Sequence, residues 1–270
     1  MTALAEMIER RELLTNLTLR ELRGKFKRTA LGWAWSMLNP LSQIAIYSVV
    51  FSQFLQGQPD VGNPSGLKNF TLWLTCALLT WNFTNNGLQS TIPSLLSNSN
   101  LVKKVYFPRE FIAASSVLSW LVTFLIELSV LCFFFLFFGQ IVFQWIPLVL
   151  IFVAMQTLFV LGLALMFSAL NVYFRDVQHF VGIFMQVWFY LTPIVYKTAL
   201  ADNKIGSGVG RTIYRLNPML RFVDAFRDLL YSQRVPPLAT WLGCAFVSVV
   251  SLLLGWAVFS RLEPRFAEEL

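Results

Sequence analysis

Long stretches without a charged residue constrain this chain more than any other feature of its sequence. Residues 29–59, 69–102, 128–174 and 235–260 contain no Asp, Glu, Lys or Arg. A helix that spans a bilayer needs about 20 mainly apolar residues, so the 128–174 gap completes one span and holds a second. The whole chain is 56% hydrophobic and only 13% charged, whereas a soluble domain has about 25% charged residues. These features predict a polytopic membrane protein.

The sequence predicts an all-α integral membrane fold with six transmembrane helices. The expected spans cover about 33–54, 70–92, 111–138, 145–170, 180–196 and 239–260. They form a permease-sized domain over 31–262, preceded by a separate N-terminal segment, 1–30, and followed by a short tail, 263–270. In the N-terminal segment, Leu19 and Leu22 recur at helical spacing with Phe26. This pattern is typical of an amphipathic helix that lies in the membrane interface.

An even number of spans places both termini on one side of the membrane. That side carries thirteen Lys and Arg residues in this topology and the other side carries eight, which favours cytoplasmic termini. The net charge of +7 suits anionic lipid headgroups. Nucleic acid is excluded as a partner because no soluble basic domain is present to hold it. The three cysteines lie far apart in apolar segments and indicate small buried side chains, not a disulfide framework or a metal site.

A short basic segment, 98–110, separates the second and third expected spans. Asn98, Ser99 and Asn100 are suitable helix N-caps, and Pro108 excludes helical geometry at the residue before it. We therefore expect a helix of about two turns at the membrane surface. Its expected apolar face holds Leu101 and Val105 with Tyr106 and Phe107 nearby, while Lys103 and Lys104 face water. From these residues alone, the segment is either a plain connector whose lysines set the orientation or a docking helix.

Polar residues inside the expected spans also allow two interpretations. The middle of the second span holds Asn82, Thr84, Asn85, Asn86 and Gln89. Such side chains either bind a neighbouring helix or line a water-filled path. The third span contains one buried acid, Glu127, which is either functional or a hydrogen-bond partner of another helix.

The longest expected loop, 197–237, contains a second amphipathic helix. Asn217 followed by Pro218 is an N-cap with proline at the first helical position. The following apolar residues keep a helical period and include Phe222 and Phe226, whereas Arg221, Asp224, Arg227 and Asp228 are expected on the polar face. The helix should extend for about three turns at the outer face and end before Pro236 and Pro237.

Catalytic and nucleotide-binding motifs are missing from the sequence. It has no Gly-x-x-x-x-Gly-Lys-Ser/Thr loop to hold nucleotide phosphates, and its one histidine, His179, provides no constellation for acid–base chemistry. A membrane acyl- or glycosyltransferase would need acids and bases gathered at one membrane face. Transport driven by a partner or an ion gradient is the better class.

Several stretches together resemble a known family. They are Lys27–Trp35 with Leu38–Pro40, Asn98–Glu110, Asn171–Asp176, Trp188–Tyr196 and Asn217–Pro218. In this order the chain resembles the membrane subunit of type-2 ABC exporters for lipid-linked polysaccharide, which move O-antigen, capsule, teichoic acid or galactan chains. One departure is that 98–110 continues at once into the third span, which leaves little room for an additional soluble element.

The resemblance implies partners and roles. The permease would form a homodimer in the inner or plasma membrane of a bacterium, with two copies of a separate ATPase that holds ATP and Mg, and would bind no cofactor itself. It would export a lipid-pyrophosphate-linked polysaccharide among membrane lipids. The segment 98–107 would be the coupling helix to the ATPase, through Asn100, Leu101, Lys103, Lys104, Val105, Tyr106 and Phe107. Re-entrant gate helices between spans five and six would include Asn217, Pro218, Phe222 and Phe226.

The first and fifth spans would line the conduit in this family. The matching substrate entrance and conduit residues are Leu31, Gly32, Trp33, Trp35, Tyr47, Trp188, Tyr190 and Tyr196. Aromatic rings suit the faces of sugars, although most of the aromatic residues in a membrane protein are structural. A type-2 ABC permease for a drug or a lipid is the main alternative, and a membrane transferase is a weaker one.

Overall fold

The computed structural model describes residues 11–27, 32, 34–50, 61–104, 107–198 and 209–269. Every regular element in these residues is helical. In chain order they are α1 (Arg11–Phe26), α2 (Ala34–Val49), α3 (Phe70–Thr91), α4 (Ser94–Ser97), α5 (Ser99–Lys104), α6 (Glu110–Phe137), a 3-10 turn (Phe143–Trp145), α7 (Ile146–Tyr173), α8 (Val177–Leu191), α9 (Val209–Arg215), α10 (Pro218–Phe226), a π-helical turn (Arg227–Ser232), α11 (Leu238–Leu262), a second 3-10 turn (Glu263–Arg265) and α12 (Phe266–Glu269).

Three helical stretches in the described residues are long and apolar enough to cross a bilayer. They are Glu110–Phe137, Phe143–Tyr173 and Leu238–Arg265, and Val177–Leu191 is a shorter apolar helix. The 15 residues of α8 rise only about 22 Å, less than the roughly 30 Å of a hydrocarbon core. The all-α membrane fold expected from the sequence is confirmed. The exact count of six membrane spans stays a prediction.

The centre of the fold is a close crossing of α7 and α11. Gly162 of α7 faces Gly255 of α11 so closely that a side chain at either position would collide with the opposing backbone. Nearer the start of both helices, the Ser248 hydroxyl donates to the Met155 carbonyl at 2.6 Å and the Ser251 hydroxyl donates to the Phe159 carbonyl at 2.9 Å. Small residues and hydroxyls of this kind hold helices together where both lipid and protein are apolar.

Helix α3 packs against α6, α7 and α8, and one of its polar residues binds a neighbouring helix. The Gln156 amide of α7 donates to the Thr80 carbonyl at 2.7 Å and to the Thr84 hydroxyl at 2.9 Å. Thr84 is therefore helix–helix glue, one of the two alternatives left open by the sequence.

The bundle has two ends with different elements. We call the end that holds α1, α4, α5 and α12 the α5 end. Here one apolar cluster joins Leu17, Leu95, Val102, Phe107 and Phe266 with the adjoining ends of α6, α7 and α11. The opposite end, which holds residues 61–69 and 217–237, is the α10 end.

The observed elements correct several local predictions. In α1 the buried residues are Leu17 and Leu22, whereas Leu19 is 40% exposed, because the helix turns a different face toward α6. The helix expected over 98–107 is present as α5, whose described residues end at Lys104, and Phe107 is non-helical ahead of Pro108. Val105 and Tyr106 lie outside the described residues.

The expected amphipathic helix after Asn217 also differs from the prediction. The α-helix ends at Phe226 and continues as a π-helical turn. The wider turn changes the direction of the following side chains, so Arg227 and Asp228, expected on a polar face, are only 6% and 8% exposed. Both residues face the protein and not water.

Candidate functional site

The break at the end of α8 brings together most of the conduit and gate residues expected from the sequence. Thr192 is extended because it precedes Pro193, and α8 therefore ends at Leu191. The carbonyls of Leu191, Pro193 and Ile194 have no following helical turn to supply donors. Side chains from the segment 217–232, which we call the outer segment, bind them.

Asn217 connects the two elements. Its side-chain oxygen caps α10 by accepting from the Met219 amide at 3.0 Å, and it also accepts from the Trp188 indole nitrogen at 2.9 Å. Its amide nitrogen donates to the Leu191 carbonyl at 3.2 Å and to the Thr192 hydroxyl at 3.0 Å. The N-cap predicted at Asn217 is confirmed, and the same side chain fixes the end of α8.

Arg227 makes a second connection. Its guanidinium donates to the carbonyls of Pro193 and Ile194, both at 2.7 Å, and to the Trp73 carbonyl at 3.4 Å. The guanidinium carbon also lies 3.5 Å from the centre of the Trp73 ring, a favourable cation–π geometry. The sequence did not indicate this role, because an arginine at helical spacing next to two aspartates is typical of a solvated face.

The aromatic residues of the outer segment point into the protein. Phe222 and Phe226 are 0% and 1% exposed, and they pack on Phe159 of α7 and Phe124 of α6 with ring centres 5.7 and 5.9 Å apart. Pro218 is half-buried at the first position of α10. Because Met219 contacts Thr84, in the middle of α3, α10 enters the bundle deeply, as a re-entrant helix does.

Beside this break, α3 and α8 enclose an open cavity of about 290 Å³. Its walls are Trp81 and Asn85 from α3 and Met185, Gln186, Phe189 and Tyr190 from α8. Rings and two amide side chains therefore share one cavity. Asn85 thus lines an open cavity, and the path lining, the second alternative for the polar residues of α3, stays a prediction.

The predicted conduit residues have different environments. Trp188 is buried and packs edge-on against Trp81 with ring centres 5.8 Å apart, whereas Tyr190 is 70% exposed. The Tyr196 hydroxyl donates to the Tyr190 carbonyl at 2.9 Å. In the first expected span, Gly32 has a positive φ of 50° and Trp35 is 44% exposed. Leu31 and Trp33 lie outside the described residues, and Tyr47 lies within α2 with no described side chain.

At the α5 end, α5 is seated by a residue whose burial its own segment does not indicate. Val102 is 4% exposed and belongs to the apolar cluster of that end, as does Phe107. Leu101 is half-buried, and Asn100 and Lys103 are exposed. Lys104 is the last described residue of α5, and its side chain is not described. The pattern within 98–110 does not indicate this burial, because Val102 stands directly beside two lysines. The signal lies in the apolar residues of 1–28, which provide a surface for the face of α5 that carries Val102.

Helix α1 packs against α6 and carries four basic residues, Arg11, Arg20, Arg23 and Lys25. The Arg20 guanidinium donates to the Asn98 side chain at 2.7 Å. The Lys25 ammonium lies 3.5 Å above the Trp120 ring and 3.4 Å from the Thr123 hydroxyl. Burial lowers the pKa of Lys25 to about 7, and the carboxylates of Glu21 and Glu127 oppose this shift. A groove of about 510 Å³ runs along the helix between Asn16, Leu19, Arg20, Arg23, Gly24 and Lys27.

One ion pair lies at the rim of the α10 end. Arg234 pairs with Asp228 at 2.7 Å. Burial raises the pKa of Asp228, and the hydrogen bond from Arg234 opposes that shift.

This arrangement of a re-entrant helix, a short surface helix and long apolar spans is that of a transport permease. Residues 12–231 match the ABC-2 type transporter family, and the chain belongs to that family. It is a membrane transporter subunit and not an enzyme, which confirms the resemblance stated from the sequence.

Relatives of this chain match it over nearly its full length. It is 26% identical over 265 residues to an O-antigen export system permease protein RfbA of Myxococcus xanthus, covering 98% of each chain. It is 28% identical over 264 residues to an RfbA of the same description from Klebsiella pneumoniae, covering 96% of this chain and 95% of the relative. A second Klebsiella pneumoniae RfbA is 28% identical over 269 residues, with the same shares covered.

Proposed function

We propose that this chain is the transmembrane subunit of an ATP-driven exporter that moves a lipid-linked polysaccharide of the O-antigen, galactan or teichoic-acid type out of the cytoplasm. The full-length similarity to three O-antigen export permeases carries the proposal. The protein would lie in the inner or plasma membrane of a bacterium with both termini in the cytoplasm, and two copies would form one conduit. ATP and Mg would be held by two copies of a separate ATPase.

The cavity between α3 and α8 supports a sugar as the cargo. It offers the rings of Trp81 and Tyr190 for stacking and the amides of Asn85 and Gln186 for hydroxyl groups. Rings with a few placed polar groups are typical of sites that bind amphipathic ligands. A drug or a simple lipid, the competing cargo, would need the apolar surface without the two amides.

The groove along α1 supports an anionic end on the cargo. Arg20, Arg23 and Lys27 all line it, and Gly32 follows shortly in the chain. A pyrophosphate carries charge that such a set of cations attracts. We therefore place the entrance for the lipid-pyrophosphate end beside α1 and residues 31–35.

The experiment that tests the cargo is depletion of the permease in its native cell. We expect lipid-linked polymer to accumulate on the cytoplasmic side of the membrane. After re-expression of the permease, polymer should appear on the outside again. Asn85→Ala with Gln186→Ala should lower polymer export while leaving abundance unchanged, and Ser129→Ala, an exposed residue of another helix, is the matched control. Normal surface polymer in depleted cells, together with altered resistance to a drug, would favour the efflux alternative.

Helix α5 is the proposed contact with the ATPase. Because Val102 and Phe107 face the protein's own cluster, half-buried Leu101 and exposed Asn100 and Lys103 are the described residues available to meet a partner. Leu101→Asp should reduce copurification of the ATPase and polymer export in the same cells. Lys103→Glu, at the neighbouring exposed position, separates the apolar contribution from the charge contribution. Normal copurification and export in the Leu101 variant would return this segment to a plain connector.

The proposed orientation is tested by thiol labelling at residues that the structure exposes. Cysteine at Val235, which is 59% exposed, should react with an impermeant reagent added to intact cells. Cysteine at exposed Glu268 should react only after lysis. The opposite pattern would reverse the topology.

A further inference from the structure

Specific hydrogen bonds and aromatic contacts connect the end of α8, the outer segment and α3. Each pair of these three elements shares at least one hydrogen bond or ring contact. Asn217 joins the outer segment to α8 through the Leu191 carbonyl and the Thr192 hydroxyl. The Trp188 indole of α8 donates a hydrogen bond to the Asn217 side chain. The Trp188 ring also lies edge-on to Trp81 of α3.

Arg227 joins all three elements at once. It binds the carbonyls of Pro193 and Ile194 after α8 and both the ring and the carbonyl of Trp73 in α3. Its planar fork of donors suits two adjacent carbonyls, a geometry that a lysine cannot reproduce. Separating the outer segment from α8 would leave these carbonyl groups buried without donors, which is unfavourable at this depth.

The far end of the outer segment is held to the chain that precedes α3. The Tyr231 hydroxyl donates to the Leu67 carbonyl at 2.9 Å. The Ser65 hydroxyl donates to the Tyr231 carbonyl at 2.6 Å, and the Ser65 amide donates to the Ser232 carbonyl at 3.2 Å. The outer segment is therefore fixed at its beginning, its middle and its end.

From these contacts we propose that Arg227 is the positioning residue of a rigid outer block composed of the end of α8, residues 217–232 and residues 62–74. The re-entrant helix does not swing away from its own fifth span. The exit widens when the blocks of two copies separate from each other, with α8 and the outer segment moving together. This inference rests on the proposed export function and on the proposed dimer.

Covalent cross-links test whether the block moves as one piece. Cysteines at Thr198 and Asp224, whose side-chain oxygens lie 3.4 Å apart, would link the chain after α8 to the outer segment. Cysteines at Ser65 and Ser232 would link the outer segment to the chain before α3. Both pairs are introduced after replacement of the native Cys76, Cys132 and Cys244 by alanine, in the complete exporter with its ATPase.

The expected result is that polymer export after oxidation stays within about twofold of the same variant under reducing conditions. A fall of tenfold or more on oxidation, reversed by reduction, would show that the elements must separate and would overturn the proposal. Export by the reduced variants and by the parent protein tests the proposed function separately. If neither exported any polymer, the export function would be contradicted and not the rigid block.

A second variant separates positioning by Arg227 from a mere need for charge. Arg227→Lys keeps the charge but loses the fork, and we expect export to fall at least fivefold while the ATPase still copurifies. Oxidation of the Thr198 and Asp224 cysteine pair in this background should restore export to within about twofold of the parent, because the covalent link replaces the guanidinium. Normal export by Arg227→Lys, or failure of the cross-link to restore it, would overturn the role assigned to Arg227.

Discussion

The two ends of this permease attach their surface helices in different ways. At the α10 end, the outer segment is held by buried polar contacts, with Arg227 only 6% exposed and bound to three carbonyls. At the α5 end, α1 and α5 share an apolar seat, but the polar link between them, from Arg20 to Asn98, is exposed. Buried hydrogen bonds cost much to break, whereas exposed ones exchange easily with water.

The difference indicates how motion is distributed in the molecule. The α5 end can adjust α1 against α5 at little cost, which suits a surface that follows a partner's nucleotide state. The α10 end cannot adjust its parts separately, so it must move as a whole. The following changes test this contrast, from the largest expected effect to the smallest.

Removing the buried cation should have the largest effect. Arg227→Ala leaves three carbonyls and one aromatic face without their donor, and we expect a loss of about 3–5 kcal/mol of stability. The matched control is Arg234→Ala, whose side chain is 54% exposed in its pair with Asp228 and which should cost at most about 1 kcal/mol. The measurement is the thermal midpoint of the detergent-purified protein. Equal shifts in the two variants would contradict the contrast between buried and exposed contacts.

A charge placed in the apolar seat of α5 should have the next largest effect. Val102→Asp buries a carboxylate among apolar side chains, and we expect α5 to leave its seat at a cost of about 2–4 kcal/mol. Lys103→Asp, one residue further, should leave stability within about 0.5 kcal/mol because the side chain is exposed. Proteolysis of purified protein near residues 99–104 reports the unseating. Equal protection in both variants would show that Val102 does not hold the helix.

These two positions also show what the sequence can and cannot predict. The charge-free gaps and the proline positions predicted the membrane fold, the helix that follows Asn217 and its Asn217 cap, because those features depend on neighbours in the sequence. The buried faces of Val102 and Arg227 depend on elements far away in the chain, Leu17 in one case and Trp73 in the other. A helical wheel of an isolated segment contains no information about such partners, and the π-helical turn further changes the direction of Arg227.

Breaking the exposed hydrogen bond between Arg20 and Asn98 should have a smaller effect on stability. Its clearer effect should be on the coupling of ATP hydrolysis to polymer export. Arg20→Ala and Asn98→Ala should each cost about 1 kcal/mol or less, because both side chains can bind water instead. Polymer exported per ATP hydrolysed should fall in each, and the double variant should fall no further, since one contact is removed in all three. Additive losses in the double variant would mean that the two residues act independently.

The effect on stability is also expected to be small where α1 meets the third expected span, α6. Lys25 lies over Trp120 in a contact worth about 0.5–2 kcal/mol, and the Glu127 carboxylate favours the charged form of this lysine. If Glu127 serves as the counter-charge of Lys25, Lys25→Met and Glu127→Gln should each lower export, whereas the double variant should recover it because no unmatched charge remains. If Glu127 acts on the cargo or on a proton, the double variant should stay as impaired as Glu127→Gln. Export and abundance measured in the three variants therefore decide between the two roles that the sequence left open for this acid.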